Sequence, residues 1–268
     1  MLGEGAPQAD IAAARHAYHL DETLSEQYVR YWKGVVHGDL GPSFRYNQSV
    51  TKLVLQRYPY TLRLTLASLF VAIVLSIPAG VRSARRRNRW DDRVLSVVSL
   101  FGLSFPNFAL GPILILLFAI KLGWLPVSGA GSFASLVLPA LTMGGALAAI
   151  LTRMVRTSML EELNQDYIRT ARAKGLPERT VVYRHALRNA MIPIITVLGL
   201  QFGALLAGAV VTEKIFSWPG IGRLTIDAIS SRDYYLVQGC ILAIGLTYVA
   251  VNLLTDVMYS IANPRIRQ

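Results

Sequence analysis

"DYIRTARAKGLPERTVVYRHALRNAMIPI", residues Asp166 to Ile194, is a polar, basic stretch set between two long apolar runs. Asn164 or Asp166 suits a helix N-cap. Tyr167, Ala171 and Gly175 recur at four-residue spacing, which puts them on one helix face. Lys174 falls in the last turn, where a cation meets the negative end of the helix dipole. Gly175 can take the left-handed conformation that ends a helix, and after Leu176 Pro177 forbids continuation. The pattern predicts a helix from about Tyr167 to Lys174, roughly 13 Å long. A helix this short is marginal alone in water, so something must hold it. Pro177 fits the first position of a second helix, with Glu178 in its first turn. That helix runs past Leu187 into the next apolar run, where Pro193 predicts a kink. The two together read as a short helix presented on a rigid stem.

The surroundings decide what kind of protein carries it. The chain has 268 residues, of which 53% are hydrophobic. Mean hydropathy is +0.42, too high for an ordinary soluble domain. The apolar residues are bunched into uncharged runs at Leu64–Val81, Val94–Ile120, Ala134–Thr152, Ala190–Thr212 and Tyr234–Thr255. Crossing a bilayer takes about 20 apolar residues in a helix, so an all-α integral membrane protein with five visible transmembrane helices is expected. The single cysteine, Cys240, lies in the last run and supports neither a disulfide framework nor a cysteine metal site.

The formal net charge is +11, but its placement points to topology rather than to nucleic acid. Arg82, Arg85, Arg86, Arg87, Arg89 and Arg93 crowd the link between the first two runs. Arg153, Arg156, Arg169, Arg172, Lys174, Arg179, Arg184 and Arg188 lie between the third and fourth. The alternate links are poor in basic residues or diluted by Glu213, Asp227 and Asp233. This is the positive-inside pattern. It divides the chain into an extracytoplasmic, mostly helical cap over 1–61, a transmembrane region over 62–262 with a cytoplasmic loop over 153–190, and a cytoplasmic tail, "NPRIRQ", over 263–268. Five spans with the C-terminus inside leave 1–61 outside without a segment to start insertion, so a further span ahead of the first visible one is expected.

No Asp, Glu, Lys, Arg or His lies within the five runs. A self-sufficient secondary carrier or channel is the alternative to a subunit driven by a partner, but proton relays in carriers need such groups, which weighs against its proton-driven form. No GxxxxGK[ST] phosphate loop occurs, and no nucleophile–base pairing is visible. His16 and His19 can share a helix face, but surface histidines are the ordinary reading. Catalytic residues, metal ligands and a bound cofactor are therefore not expected, and an integral-membrane enzyme is disfavoured. Small residues at four-residue spacing, Gly144–Ala148 and Gly199–Gly203, permit close helix packing within the bundle or with a second subunit. "KIFSWPGIGRLTIDAIS", residues 214–230, carries a Trp218-Pro219-Gly220 turn. Ile221, Leu224, Ala228 and Ile229 then follow at amphipathic spacing. A short helix at the outer mouth fits. So does an interfacial anchor with Trp218 at headgroup depth.

The opening stretch resembles the cytoplasmic "EAA" loop of ABC importer permeases, whose core is Glu-Ala-Ala, three residues, then Gly. Arg169, Thr170 and Ala171 occupy the first three positions and Gly175 the last, so only Ala171 and Gly175 match that general pattern. "YIRTARAKGL…HALRNAMIP", "GDLGPSF", "EKIFSWPGIGRL" and "NPRIR" together resemble the peptide/nickel branch, in particular its dipeptide/oligopeptide B-type subunits. The resemblance covers nearly the whole chain. It implies a type I ABC importer permease fold with six spans, in a bacterial or archaeal inner membrane. It implies a homologous second permease, two ABC ATPase subunits that hold ATP and Mg, an extracytoplasmic substrate-binding protein and surrounding lipid as partners. It makes Tyr167, Arg169, Thr170, Ala171, Lys174, Gly175 and Leu176 the coupling helix to the ATPase, and Pro177, Leu187 and Pro193 its stem. Trp218, Pro219, Gly220 and Gly222 become an outer gate loop. Short peptides are the expected cargo, with nickel or another solute the alternative within the branch.

Overall fold

The structure, a computed structural model, describes residues 7, 9, 21–104 and 106–262. Most of the first twenty residues, with His16 and His19, and the tail 263–268 lie outside the described residues. A capped helix, α1 (Leu24–Val36), leads through an irregular link to α2 (Val50–Arg85). An arginine-rich turn joins α2 to α3 (Trp90–Ser104). Then come α4 (Asn107–Leu114), continued by a π-helical stretch Ile115–Lys121, and α5 (Ala134–Leu163). The short α6 (Asp166–Ala173) follows. A single turn Glu178–Thr180 and a π-helical stretch Val181–Ala186 feed α7 (Leu187–Ile215), and α8 (Ile221–Ser230) and α9 (Tyr234–Ala262) complete the described residues.

Val50–Arg85, Ala134–Leu163, Glu178–Leu206 and Tyr234–Val257 are long and apolar enough to cross a membrane. The second apolar run departs from the expectation of one continuous helix. It is divided between α3 and α4, and Pro106 stands at the break in extended conformation (φ −63°, ψ 133°). A proline ring supplies no backbone donor and crowds the preceding turn, so the helix restarts instead of running through. Pro78, Pro139 and Pro193 are accommodated inside α2, α5 and α7. The first span also begins earlier than its uncharged run: α2 starts at Val50 and carries 50–61 as its first turns.

The central crossing is α2 on α5, and glycine makes it close. A methyl at Gly80 would lie 2.6 Å from Val155, and one at Gly144 would overlap the Ser68 carbonyl. Gly199 and Gly203 serve the crossing of α7 and α9 in the same way, against Thr255 and Tyr248. These small-residue faces are used inside the chain. Three cores result. The largest joins Ala72, Val81, Leu151, Val155 and Met159 to Ile168, Val181 and Ala190. A second holds Val50, Leu53, Leu224, Leu236 and Cys240, so the lone cysteine is the small buried residue expected of it. A third surrounds Leu64, Met143 and Trp218.

Candidate functional site

At one end of the bundle, α6 is held by its own chain. Ile168 and Ala171 are its buried residues, and they join the core that contains Val181 and Val182 of the stem. This supplies the stability that an eight-residue helix lacks alone. Gln165 occupies the N-cap position, without a side-chain cap bond, in place of Asn164 or Asp166. The C-terminus follows the expected glycine stop. Gly175 has φ +76°, its N–H donates to the Arg172 carbonyl at 2.9 Å, and Leu176 N–H donates to the Ala171 carbonyl at 3.3 Å. That pair of bonds is the Schellman motif. Pro177, extended at φ −63° and ψ 140°, caps the next turn.

The resemblance makes Ala171 part of the contact with the ATPase, but its side chain is buried. Ala171 does not share an outward surface with Tyr167 and Gly175; it packs against the stem. Four-residue spacing identifies a common face but not the side of the helix that meets the core, and Ile168 decided it. The exposed surface includes Asp166, Tyr167, Arg169, Thr170, Arg172, Ala173, Lys174, Gly175 and Leu176. In the stem, Leu187 is half-buried and Pro193 is exposed on α7. The π-helical stretch before Leu187 had no signal in the sequence.

Polar ties fix α6 further. The Tyr167 hydroxyl donates to Glu162 at the end of α5 and accepts from Asn189 Nδ2 at 3.0 Å, from the start of α7. Burial, and the carboxylate of Glu162 beside it, push the Tyr167 phenol up to about 12. Arg172 grips Glu178 with two bonds, Nη2 to Oε1 at 2.9 Å and Nε to Oε2 at 3.2 Å. Together these link α6 to the ends of both long helices it connects.

The arginine-rich turn sits at the same end. Arg156 of α5 makes a forked contact with Asp92, at 2.7 and 3.0 Å, and Ser83 donates to the same carboxylate. The Asn88 N–H completes the set at 2.9 Å. The Arg156 bonds hold the Asp92 carboxyl well below the usual carboxylate range. Asp91 meets Arg86 at 3.0 Å and Arg82 at 3.3 Å. Part of the basic cluster is thus internally paired, as a helix N-terminus rich in Asp would favour.

At the opposite end, the loop from Glu213 to Leu224 closes on a buried carboxylate that the sequence did not single out. Glu213 is fully buried. It accepts from Thr61 Oγ1 at 2.6 Å and from the Arg223 N–H at 2.9 Å. Thr61 Oγ1 in turn accepts from Ile221 N–H at 2.8 Å. A methyl at Gly220 would overlap the Glu213 carboxylate, and one at Gly222 would come within 2.6 Å of Val210 Cα. Both glycines are there for close approach. Trp218 is buried, and its indole N–H donates to the Tyr60 carbonyl at 2.9 Å; it is a core residue, not a headgroup anchor. Pro219 is half-buried beside it. Ile221, Leu224 and Ala228 face inward on α8 as the spacing predicts, while Ile229 is exposed. The one signal available for Glu213 was an acid directly after an apolar run with two glycines seven and nine residues on.

The "GDLGPSF" stretch docks at this end too. Asp233, buried ahead of α9, accepts from Ser43 Oγ at 2.6 Å and from Arg45 N–H at 3.1 Å. Gly41, at φ +86°, lies against the Tyr235 ring. Among the described residues no group of three or more His, Cys, Asp or Glu is placed to hold a metal ion.

Residues 72–268 match the family described as binding-protein-dependent transport system inner membrane component. The glutathione transport system permease protein GsiC of Escherichia coli O6:H1 (strain CFT073) is 46% identical over 264 residues, covering 97% of this chain and 86% of the relative. Its counterpart in Salmonella paratyphi A is 44% identical over the same coverage. Among solved structures, an inward-facing MetNI methionine ABC transporter aligns with a TM-score of 0.68 at 16% identity, covering 79% of this chain and 96% of that one. An amino acid ABC transporter crystallised with histidines aligns at a TM-score of 0.59 and 15% identity, covering 80% and 94%. These two likenesses bear on the fold.

Proposed function

The chain belongs to the family of binding-protein-dependent transport system inner membrane components, and on that premise we propose that α6 couples it to ATP hydrolysis and that its cargo is a short peptide of the glutathione kind. It is a permease subunit of an ATP-driven importer and carries no catalysis of its own. The nucleotide and its Mg belong to separate ATPase subunits, and substrate is delivered by an extracytoplasmic binding protein. A homologous permease completes the path. The loop 166–177 and the C-terminus face the cytoplasm. The observation that carries the coupling role is the double anchorage of α6: a push on its exposed face reaches α5 through Glu162 and α7 through Asn189 and Val181. Alternating access then follows from rocking of the two permeases as the ATPases close and open. The residues of the proposed contact are Tyr167, Arg169, Thr170, Arg172, Lys174, Gly175 and Leu176. Ala171 acts from beneath, by seating α6 on the stem. The loop holding Trp218, Pro219, Gly220 and Gly222 forms the outer gate.

The cargo reading rests on the identity with glutathione permeases along 97% of the chain. Reconstitution in liposomes with the ATPases, second permease and binding protein tests both parts. ATP-dependent accumulation of labelled glutathione, or of another tripeptide, is expected. Accumulation of nickel alone overturns the cargo. Uptake by this chain without any nucleotide-hydrolysing subunit overturns the coupling.

A further inference from the structure

The helix α1 is a complete, capped helix that belongs to none of the three cores. Thr23 and Glu26 form a capping box at its start. At its end, the His37 N–H donates to the Gly34 carbonyl at 3.0 Å. None of its residues is buried. Leu24, Tyr28, Trp32 and Val36 form a row at four-residue spacing along one face, and they are 84%, 65%, 42% and 80% exposed. Val29 beside them is half-exposed. The charged residues Glu26, Arg30 and Lys33 keep to the opposite face, and Arg30 is paired with Glu22. Tyr28 and Trp32 touch edge to face, with centroids 6.2 Å apart.

We propose that this row lies in the interfacial layer of the outer leaflet, so that α1 is a surface anchor parallel to the membrane and not a cap on the bundle. Three observations select lipid over a protein partner. A row of large apolar side chains on a fully capped helix, with its charges segregated, is the pattern of an interfacial helix. Tyr and Trp are the side chains with an apolar body and a polar tip that suit headgroup depth. Position agrees as well. Gly34 lies against the Asp39 carbonyl, and Leu40 N–H donates to Thr51 Oγ1 at 3.1 Å, which ties the foot of α1 to the first turns of the α2 span. The formal charges of α1 with Glu22, two acidic and two basic, cancel. Attachment therefore depends on apolar burial and not on anionic lipid.

The inference goes beyond the transport reading and is tested apart from it. Leu24→Cys and, on the polar face, Lys33→Cys are each spin-labelled in the assembled transporter, with Cys240→Ala as background. Nanodiscs of phosphatidylcholine alone and with phosphatidylglycerol added are compared. The label at 24 is expected to be reached by oxygen in preference to a water-soluble nickel reagent, and the label at 33 the reverse, equally in both lipids. Tyr28→Glu combined with Trp32→Glu should abolish the preference at 24. A water-accessible label at 24 in both lipids overturns the proposal. So does a label at 24 that loses water contact only when purified binding protein is added, since that assigns the row to a protein interface.

Discussion

The Asn189 side chain donates to the Tyr167 hydroxyl at 3.0 Å across a sequence separation of 22 residues, while the same hydroxyl donates to Glu162. One phenol therefore joins the exposed short helix to the two spans on either side of it. Tyr167→Phe removes both bonds and keeps the ring. The loss in stability is about 1 kcal/mol, too small to unfold the chain. The expected effect is instead a fall in solute moved per ATP hydrolysed, with ATPase binding retained. An unchanged transport-to-hydrolysis ratio would exclude the tether from coupling.

The same phenol gives a titration signature. Its value is pushed up to about 12 by burial and by Glu162, above the ordinary value near 10. Because the folded value is raised, the tether's contribution is complete below pH 10 and is lost as pH rises through the folded value. Difference absorbance between wild type and Tyr167→Phe should show ionisation near 12. A step near 10 would mean the phenol is free of Glu162.

Gly175 has φ +76° and open space around it, so its requirement is conformational and not steric. Gly175→Ala should cost about 1 kcal/mol, and Gly175→Asn less, since Asn tolerates the left-handed region. Gly175→Trp adds bulk on the proposed ATPase contact and should lose the partner on co-purification. Full uptake with partner retained in Gly175→Trp would remove this loop from the coupling interface.

At the other end, Gly220→Ala places a methyl on the Glu213 carboxylate. Overpacking of this kind costs about 1–3 kcal/mol, and a lower melting temperature in detergent is expected. Glu213→Gln keeps the shape, but its amide oxygen can accept from only one of the two donors, Thr61 Oγ1 and the Arg223 N–H, and the N–H₂ faces the other. A loss of about 1–3 kcal/mol follows from the donor left without an acceptor. If Glu213→Gln melts like wild type, the carboxylate is not what closes the loop.

Asp92 and Arg156 connect α3 to α5 through two bonds. Asp92→Asn takes the charge partner from Arg156, whose side chain is 27% exposed, and should destabilise by about 1–3 kcal/mol. The Asp92 carboxyl is depressed, so its contribution is present above the ordinary carboxylate range and disappears only as pH falls through the depressed value. The melting difference between wild type and Asp92→Asn should be constant from neutral pH into mild acid. A difference that vanishes in mild acid would contradict the pairing.

The sequence by itself determined the apolar helices, their alternation of basic and neutral links, and the glycine stop at Gly175. Each of these depends on local composition or on the backbone freedom of one residue, and a linear pattern carries that information whole. It also placed α8 and the inward Ile221, Leu224 and Ala228, because helical spacing marks a face, though it set Ile229 with them and that side chain is exposed. Only the tertiary structure decided which side of α6 is outward, since Ile168 and Ala171 had to choose a core that α5 and the stem supply together. It alone showed Glu213 with Thr61 and Asp92 with Arg156, whose partners lie 152 and 64 residues away. A buried carboxylate is tolerable only where distant donors converge, and convergence is a property of the fold. The break at Pro106 lies between these cases: proline ends the helix locally, while the packing of α3 and α4 on α5 is a matter of the fold.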